Sequence, residues 1–334
     1  MMKILFIGGT GNISLSCTES ALEAGFTVTH LNRGTGRRPV DARVETLRGD
    51  IRNPARVAAL LEKRTFDVVA DFISFVPDHL EGNLKLFTGK TGQYIFISSA
   101  SVYRKPVAYY VITESTPAHN PYWEYSQNKI ACENLLFSAW RERALPATVI
   151  RPSHTYANGY LPFPYGSPDF TVADRILKGK EILLHGDGQS LWTLTHADDF
   201  ARGFIGLCGH PAALGETFHI TGDEVLSWRV IAETVGEALG REPRIVYLTS
   251  EEIAAHSPEL GAGLLGDKAY SVIFDNSKLK RLVPGFRAIV PFHQGVRRCV
   301  DWFNQEPSRK VIDTELNMTL DRLCALARTE RRPS

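Results

Sequence analysis

The chain has little cysteine, and its five cysteines are scattered through 334 residues without any CxxC spacing. This distribution argues against a disulfide framework and against a zinc site built on cysteine pairs. The ten histidines also form no pair at the spacing by which a helix presents two metal ligands. We therefore predict no metal site.

An excess of charge of one sign and long apolar runs are also lacking. The formal net charge of +1 gives no electrostatic reason to expect a nucleic acid or an anionic membrane surface as a partner. No apolar run approaches the length of a membrane span, and the short apolar start lacks the pattern of a cleaved signal peptide. We therefore expect a cytoplasmic protein without nucleic-acid or membrane partners.

What the chain does have is an apolar strand that ends abruptly in glycines. Residues 3–7 precede Gly8 and Gly11, and apolar residues at helical spacing follow, as in the first unit of a dinucleotide-binding fold. Glycine is needed there because a Cβ would hold a pyrophosphate away from the first N–H groups of the helix. Ser14 stands where the usual fingerprint has a third glycine. Either it separates helix and strand slightly, or its hydroxyl bonds within the first turn.

Strands and helices alternate along the first half of the chain. Nearly all of the predicted strands are apolar, which indicates a parallel sheet covered on both faces. We therefore predict an α/β fold, a doubly wound parallel sheet of the Rossmann type with a smaller mixed α/β substrate lobe. Ligands of such folds bind beyond the carboxyl ends of the strands. The strands are predicted at residues 3–7, 26–31, 44–47, 66–70, 94–97 and 147–150.

The alternation breaks near Ser153, which suggests a division of the chain. We predict a dinucleotide-binding domain over residues 1–152, to which some later segments return, and mainly a substrate lobe over residues 153–310. Residues 157–170 are rich in Gly, Pro and Tyr, which is typical of an ordered loop over a site. Residues 311–334 are predicted to form a C-terminal helix and tail, which packs on the body or on a partner subunit.

Tyr125 and Lys129 are four residues apart on a predicted helix and therefore share one face. A phenol, with a reference pKa near 10, is a poor base at neutral pH. A nearby ammonium favours the phenolate and would move its pKa toward a useful range. Ser99 follows a strand that ends at the same ligand-binding edge, so its hydroxyl can hold the reacting oxygen. We interpret the three residues as a proton-transfer unit beside a nicotinamide.

With these residues in place, the sequence resembles the extended short-chain dehydrogenase/reductase family, which contains nucleotide-sugar epimerases and dehydratases. The resemblance implies that Tyr125 is the catalytic acid/base, that Lys129 binds the nicotinamide ribose, and that Ser99 polarises the substrate hydroxyl. The motifs that carry it are Gly8-Gly9-Thr10-Gly11-Asn12-Ile13, Gly49-Asp50-Ile51, residues 98–103, Tyr125 with Lys129, Arg151-Pro152 and His196-Ala197-Asp198-Asp199.

The resemblance also implies where the cofactor lies. Asp50 would contact the adenine, with Ile51 beside it, and a homodimer would form through two helices per subunit, one of which carries Tyr125. The cofactor-binding residues expected from the motifs are Gly8, Thr10, Gly11, Asn12, Ile13, Asn32, Arg33, Asp50, Ile51 and Lys129.

The residues after the catalytic hydroxyl depart from one branch of the family. Many dehydratases of the family carry an Asp-Glu pair there, which removes water from neighbouring carbons. Here the two positions are Ala100 and Ser101. Without that carboxylate pair, a sugar 4,6-dehydratase is disfavoured, and Ser101 becomes a candidate contact with the substrate.

A second departure concerns the substrate. The segment of residues 186–192 resembles one in which nucleotide-sugar enzymes place an arginine on the diphosphate, and the matching position here is Trp192. Losing a bidentate cation weakens the case for a nucleotide-sugar. Trp192 could stack on a base or a sugar, or it could simply pack.

A third departure concerns the cofactor. Asn32 ends the second strand, where NAD users commonly have an acidic residue on the ribose hydroxyls. Without that carboxylate, Arg33, and also Arg37 or Arg38, could pair with a 2′-phosphate. This pattern favours NADP over NAD, and a solvated basic loop is the alternative.

Two further motifs have structural interpretations. We expect an aspartate of the His196-Ala197-Asp198-Asp199 segment to cap a helix. His154 lies where the family lines the nicotinamide pocket, so its side chain is a candidate substrate contact, although a lone histidine more often satisfies a structural need.

The sequence therefore predicts an NAD(P)-dependent oxidoreductase or epimerase acting on a hydroxyl of a sugar or nucleotide-sugar. Two alternatives stay open. A reductase of a non-sugar carbonyl would use the same residues. The sequence also resembles, around Leu194-Thr195-His196, the chloroplast stem-loop RNA-binding branch of the superfamily, although the near-neutral charge disfavours RNA.

Overall fold

In this computed structural model, residues 1–35, 38–166 and 169–329 are described. Arg37 lies outside these residues. The strands are β1 Lys3–Ile7, β2 Thr27–Asn32, β3 Glu45–Arg48, β4 Phe66–Asp71, β5 Thr91–Ile97, β6 Val111–Ile112, β7 Ala147–Pro152, β8 His154–Tyr156, β9 Glu181–His185, β10 Leu191–Trp192, β11 Leu194–His196, β12 Glu216–Ile220, β13 Leu226–Ser227, β14 Arg244–Leu248 and β15 Ile273–Phe274.

Helices follow most of the strands. They are α1 Asn12–Glu23, α2 Pro54–Leu60, α3 Pro77–Phe87, α4 Glu124–Arg143, α5 Thr171–Leu177, α6 Ala197–Leu207, α7 Trp228–Leu239, α8 Ser250–His256, α9 Pro258–Gly263, α10 Ser277–Leu282, α11 Phe292–Gln305 and α12 Thr314–Thr329.

A parallel seven-stranded sheet in the order β12-β7-β5-β4-β1-β2-β3 is the centre of the molecule. Alternate residues of a strand face opposite sides of a sheet, and β1 illustrates how both sides are covered. Ile4 and Phe6 belong to one buried cluster, with Phe204 of α6. Leu5 belongs to another cluster, with Leu136 of α4. The predicted doubly wound fold is confirmed, because helices cover both faces.

The second half of the chain adds small mixed elements. Its strands form the two-stranded sheets β9-β14 and β10-β13, and they pair with two earlier strands in β8-β11 and β6-β15. Its helices α5, α7 and α11 share a buried cluster that includes Trp192 and Trp228. The segment that carries α6 and β12 lies instead against the main sheet. There β12 pairs with β7 and α6 packs on α1. This strand was not predicted, because Glu216 and Thr217 dilute its apolar pattern.

The predictions for two helices had different outcomes. The C-terminal helix α12 packs on the body of the same chain, where Leu320 and Leu323 share a buried cluster with Leu183 of β9. The predicted aspartate cap of α6 is wrong: the N-cap is His196, whose Nδ1 accepts the N–H of Asp198 at 3.3 Å. Within the described residues, we find no helix with the length and apolarity that a membrane crossing requires.

Candidate active site

The glycine loop begins directly after β1, at a position that has no room for a side chain. Gly8 has φ +83°, and a Cβ added there would lie 2.4 Å from Cγ2 of Ile73. A Cβ on Gly9 would lie 2.5 Å from the ring of the buried His30. The first turn of α1 has no acidic side chain, so its N–H groups and dipole favour an anion. These features fit a dinucleotide pyrophosphate.

Ser14 resolves the question left by the missing third glycine. Its Oγ donates to the carbonyl of Gly8 and accepts the N–H of Gly11, both at 2.8 Å. The hydroxyl is buried and closes the loop on itself. The local-bonding interpretation of Ser14 is therefore confirmed.

A cavity of about 370 Å³ lies at the carboxyl ends of β1, β2 and β3. The amide oxygen of Asn32 accepts the N–H of Gly9 at 3.1 Å, and a carboxylate oxygen of Asp50 accepts the N–H of Arg52 at 3.0 Å. The exposed Arg33 lies on its rim. The residues predicted to bind the cofactor that line this cavity are Gly8, Thr10, Gly11, Asn32, Arg33, Asp50 and Ile51.

Arg38, suggested as a partner of a 2′-phosphate, lies elsewhere. Its Nη2 donates to the carbonyl of Asn158 at 2.9 Å, and a Cβ on Gly159 would meet this guanidinium. Burial lowers the pKa of Arg38. The guanidinium of Arg38 is thus bonded to the segment that contains Asn158, whereas Arg33 lines the cleft. Of the two cations, Arg33 is therefore better placed to bind a 2′-phosphate.

A second and larger cavity has a volume of about 780 Å³. Asn12 and Ile13, from the start of α1, line it, and Asn12 Nδ2 donates to the carbonyl of Thr155 at 3.3 Å. The ring of Phe75 lines both cavities. The two cavities therefore border the same side chain, that of Phe75.

Three hydroxyls are linked at the wall of the larger cavity. Ser126 Oγ donates to Ser101 Oγ at 2.8 Å, and Ser101 Oγ lies 2.9 Å from Ser99 Oγ. Ser99 is in turn a hydrogen-bond partner of the Tyr125 phenol. Sequence reasoning missed Ser126, although its position next to Tyr125 was the available signal.

Tyr125 lines the cavity at the start of α4 and is half-buried. Burial raises the pKa of Tyr125 to about 12; the hydrogen bond with Ser99 opposes this shift, and the negative charge of Asp267 adds to it. The expectation of a lowered phenol pKa is therefore wrong for this state of the protein, because desolvation outweighs any favourable charge. The phenol is protonated at neutral pH and can donate a proton.

Lys129 lies behind the cavity wall and is 1% exposed. Its Nζ donates to the carbonyls of Ser74 and Ile97, each at 2.8 Å, and lies 4.9 Å from the centre of the Phe75 ring. Burial lowers the pKa of Lys129 to about 8, against the opposing charge of Asp71. The ammonium lies 5.9 Å from the centre of the Tyr125 ring, so the two side chains share a face as predicted.

A buried ion pair holds the elements that carry these residues. Glu133 of α4 accepts from the hydroxyl of Ser98 at 2.5 Å and pairs with Arg151 of β7 at 2.5 Å. Ser98 precedes Ser99, and Glu133 lies one turn after Lys129. One carboxylate therefore joins β5, α4 and β7 at the site.

The three candidate substrate contacts have different surroundings. Ser101 is 2% exposed, and its hydroxyl is hydrogen-bonded to those of Ser99 and Ser126. His154 lines the cavity, with Nε2 3.0 Å from the Tyr160 hydroxyl, and burial lowers its pKa to about 3, so its imidazole is neutral. Trp192 is almost fully buried and stacks on Trp228 with ring centres 5.7 Å apart. This geometry favours the packing interpretation of Trp192.

Other cavity residues escaped sequence reasoning. Phe75 follows β4, where the edge rule for parallel sheets could have indicated it. Asp267 and Lys268 lie on a π-helical turn, Leu264–Lys268, about 140 residues beyond Tyr125 in the chain. No local pattern relates such distant positions, so no signal was available.

Comparison with known proteins shows the family to which the chain belongs. The model of the NAD dependent epimerase/dehydratase family matches residues 4–221. A 2'-dehydrokanamycin reductase of Streptomyces kanamyceticus is 26% identical, with 86% of this chain and 80% of the relative covered. The chloroplast stem-loop binding protein of 41 kDa b of Arabidopsis thaliana is 28% identical, with 75% and 67% covered.

Solved structures show the same fold. UDP-glucuronic acid 4-epimerase from Bacillus cereus, in complex with UDP-glucuronic acid and NAD, has a TM-score of 0.73 at 21% identity, with 91% of this chain and 99% of that chain covered. An epimerase from Methanothermobacter thermautotrophicus has a TM-score of 0.74 at 16% identity, with 92% and 93% covered. The chain therefore belongs to the NAD dependent epimerase/dehydratase family.

Proposed function

We propose that the protein is an NAD(P)-dependent oxidoreductase or epimerase that interconverts a hydroxyl and a ketone on a sugar or nucleotide-sugar. The observation that carries the proposal is that Ser99 and Tyr125 line one cavity, which shares Phe75 with a cleft lined by Gly8 and Gly11. Similar proteins support it, since they include a 2'-dehydrokanamycin reductase and a UDP-glucuronic acid 4-epimerase.

In this proposal Tyr125 transfers the proton. A bound reduced nicotinamide would supply the hydride that adds to the carbonyl carbon. Tyr125 gives its phenolic proton to the carbonyl oxygen, and Ser99 donates a hydrogen bond to that oxygen as negative charge develops on it. Because the phenol is protonated at neutral pH, the free protein is prepared for reduction. The reverse direction needs the phenolate.

The finer assignments follow the same residues. Gly8, Gly11 and the start of α1 would hold the pyrophosphate, and Lys129 would bind the nicotinamide ribose. Asn32 and Arg33 favour NADP over NAD. Ala100 and Ser101, in place of a carboxylate pair, disfavour a 4,6-dehydratase. We also infer a cytoplasmic homodimer, which light scattering of the purified protein checks.

The test is Tyr125→Phe. It removes one hydroxyl, so turnover of an identified sugar substrate should fall about 10²- to 10⁴-fold, while the dissociation constant of the dinucleotide stays unchanged. The matched control is Tyr109→Phe, at an exposed tyrosine, which should leave both quantities unchanged. Undiminished turnover in Tyr125→Phe would refute the assignment. Native mass spectrometry of the purified protein would identify a retained dinucleotide and its phosphate.

RNA binding is the second candidate, because one relative is named as a stem-loop binding protein. The net charge of +1 and the complete set of Ser99, Tyr125 and Lys129 favour the enzyme. An RNA gel shift at low salt separates the two: an RNA complex that dissociates as salt rises would support binding, since phosphate contacts release counterions.

A further inference from the structure

One part of the lining of the larger cavity carries a pair of charged groups that the proposed reaction does not use. The π-helical turn Leu264–Lys268 places Asp267 and Lys268 on this wall, each 9% exposed, with Nζ 3.3 Å from Oδ2. Turns of this kind are rare and are frequent at functional sites. The pair presents hydrogen-bond acceptors and donors to one space.

Lys105, which does not line the cavity, forms an ion pair with Asp267. It is 2% exposed, and its ammonium lies 3.9 Å from Oδ1 of Asp267. Burial lowers the pKa of Lys105, and the charge of Asp267 opposes the shift. A buried ammonium needs a charged partner, so Asp267 is held between two lysines and its position is fixed.

The π-helical turn is also linked by hydrogen bonds to the segment that contains Ser99 and Ser101. The side-chain amide of Asn120 donates to the carbonyl of Ser101 at 2.7 Å and to the carbonyl of Gly266 at 2.5 Å. Asp267 is close enough to Tyr125 for its charge to raise the pKa of the phenol. A molecule that reaches Ser99 and Tyr125 therefore also meets the π-helical turn.

Aromatic rings complete this part of the cavity. The Trp123 ring lies 5.1 Å below Nζ of Lys268 and 4.9 Å from the ring of Tyr125. The Nε1 of Trp192 and the Nδ1 of His154 are buried on the same cavity without a hydrogen-bond partner among the described residues. Aromatic faces with polar groups between them suit a ring that has apolar faces and hydroxyls at its edge.

The charges of the cavity do not suit a nucleoside diphosphate. Among the described residues that line it, Lys268 is the only one with a cationic side chain, whereas Asp267 and Glu259 are acidic. A diphosphate is bound best by bidentate guanidinium groups, and nearby carboxylates repel it. Hydroxyls, in contrast, donate to a carboxylate and accept from an ammonium.

We propose that Asp267 and Lys268 bind the part of the substrate beyond the reacting carbon, and that this part is a hydroxyl-bearing sugar ring without a nucleotide. The inference rests on the proposed function, because it specifies the substrate of the same site. Asp267 accepts from one hydroxyl of the ring, Lys268 donates to a neighbouring one, and Trp123 packs on a ring face.

The experiment compares free and nucleotide-linked forms of the same sugars. Methyl glucoside, methyl glucuronide and kanamycin are tested beside UDP-glucose and UDP-glucuronic acid with NAD or NADP, by nicotinamide absorbance and by NMR of the products. We expect turnover of a non-nucleotide sugar that added UDP does not inhibit. Higher kcat/KM for the UDP-linked sugars, or competition by UDP, would overturn the inference and leave the proposed function intact. Turnover of no sugar would overturn both.

Variants test the two residues. Asp267→Asn and Lys268→Gln should each raise KM about 10-fold or more, because a buried hydrogen bond to the substrate is lost. Lys268→Gln keeps the pair of Lys105 and Asp267, so it remains informative if Asp267→Asn fails to fold. Unchanged dinucleotide affinity reports an intact fold.

The matched controls are Asp301→Asn and Lys63→Gln, at exposed positions away from the cavity, which should leave KM unchanged. Calorimetry of the dinucleotide-loaded protein with UDP gives an independent readout, and no binding is expected. Unchanged KM in both cavity variants, or UDP binding that Lys268→Gln weakens, would refute the assignment.

Discussion

The cofactor cleft and the substrate cavity are built in different ways. One end of the cleft is main chain from a single short segment, in which Gly8 to Ser14 supply the turn, the helix N-terminus and the bonds that close the loop. The cavity consists of side chains from distant parts of the chain. Ser99, Tyr125, His154 and Asp267 reach it from four different elements.

This difference explains how one fold can serve many substrates. A main-chain cleft tolerates few side-chain changes, because any Cβ at Gly8 meets Ile73. A side-chain cavity can change one residue at a time while its neighbours stay in place. The cofactor end is therefore constrained by backbone geometry and the substrate end by side-chain chemistry, and the following changes test that contrast.

The largest effect is expected for Gly8→Ala. The positive φ costs about 1 kcal/mol for a residue with a Cβ, and overlap with Ile73 costs about 2 kcal/mol more, so both folding stability and dinucleotide affinity should fall. Gly25→Ala is the matched control, since Gly25 has φ +77° and no atom within 4 Å of an added Cβ. Urea unfolding and dinucleotide titration measure the two losses. Equal losses in the two variants would show that the loop does not depend on close packing.

The second effect is a loss of folding stability in acid, to which a histidine beside the glycine loop and a histidine on the cavity both contribute. Burial lowers the pKa of His30 to about 4 and that of His154 to about 3, below the value of about 6.5 in an unfolded chain. As the pH falls, the unfolded state binds a proton first, so stability falls from about pH 6.5 toward the folded pKa. For His30 alone the loss between pH 7.5 and 4.5 is about 2–3 kcal/mol.

Urea unfolding of His30→Asn and His154→Asn at the two pH values isolates these contributions. Each variant should lose less stability in acid than the wild-type protein, and the exposed His293→Asn should not differ from it. If one of the two variants loses as much stability in acid as the wild-type protein, the pKa of that histidine is not lowered by folding.

The third effect concerns the closed glycine loop. Ser14→Ala removes the hydroxyl that bonds Gly8 and Gly11, which should cost about 1–2 kcal/mol in the free energy of unfolding. Dinucleotide affinity should fall with it, because the loop is no longer fixed. Ser20→Ala, at a half-buried position on the same helix, should change stability by less than about 0.5 kcal/mol. A Ser14→Ala protein with wild-type stability would contradict the role of this hydroxyl.

The smallest effect concerns cofactor choice. Asn32→Asp places a carboxylate at the end of β2, where it repels a 2′-phosphate and accepts from ribose hydroxyls. The ratio of the NADP to the NAD dissociation constant should rise about 10-fold, or about 1.4 kcal/mol. Arg33→Gln should change it in the same direction, while Arg52→Gln, on the same cavity rim, serves as a charge-matched control. A ratio that does not move in Asn32→Asp would remove the argument for NADP.

The same contrast explains what could be predicted from the sequence. The cleft, the doubly wound fold and the pairing of Tyr125 with Lys129 on one helical face all follow from local spacing. The environment of Tyr125 does not, because its raised pKa depends on burial and on Asp267, from the other end of the chain. The cap of α6 by His196 was missed for a smaller reason: an imidazole took a role that aspartate usually has.

The carboxylate of Glu133 has a consequence for how substrates exchange. It joins Ser98, Arg151 and the helix that carries Lys129 through short buried contacts, so the strand ends and the helix with the reacting groups move as one rigid unit. Adjustment to a substrate is then expected in the segment of residues 157–166, which contains no helix or strand and supplies Tyr160 and Tyr165 to the cavity. The reacting groups are thus held by buried contacts, and we expect changes of substrate to be accommodated mainly by this segment.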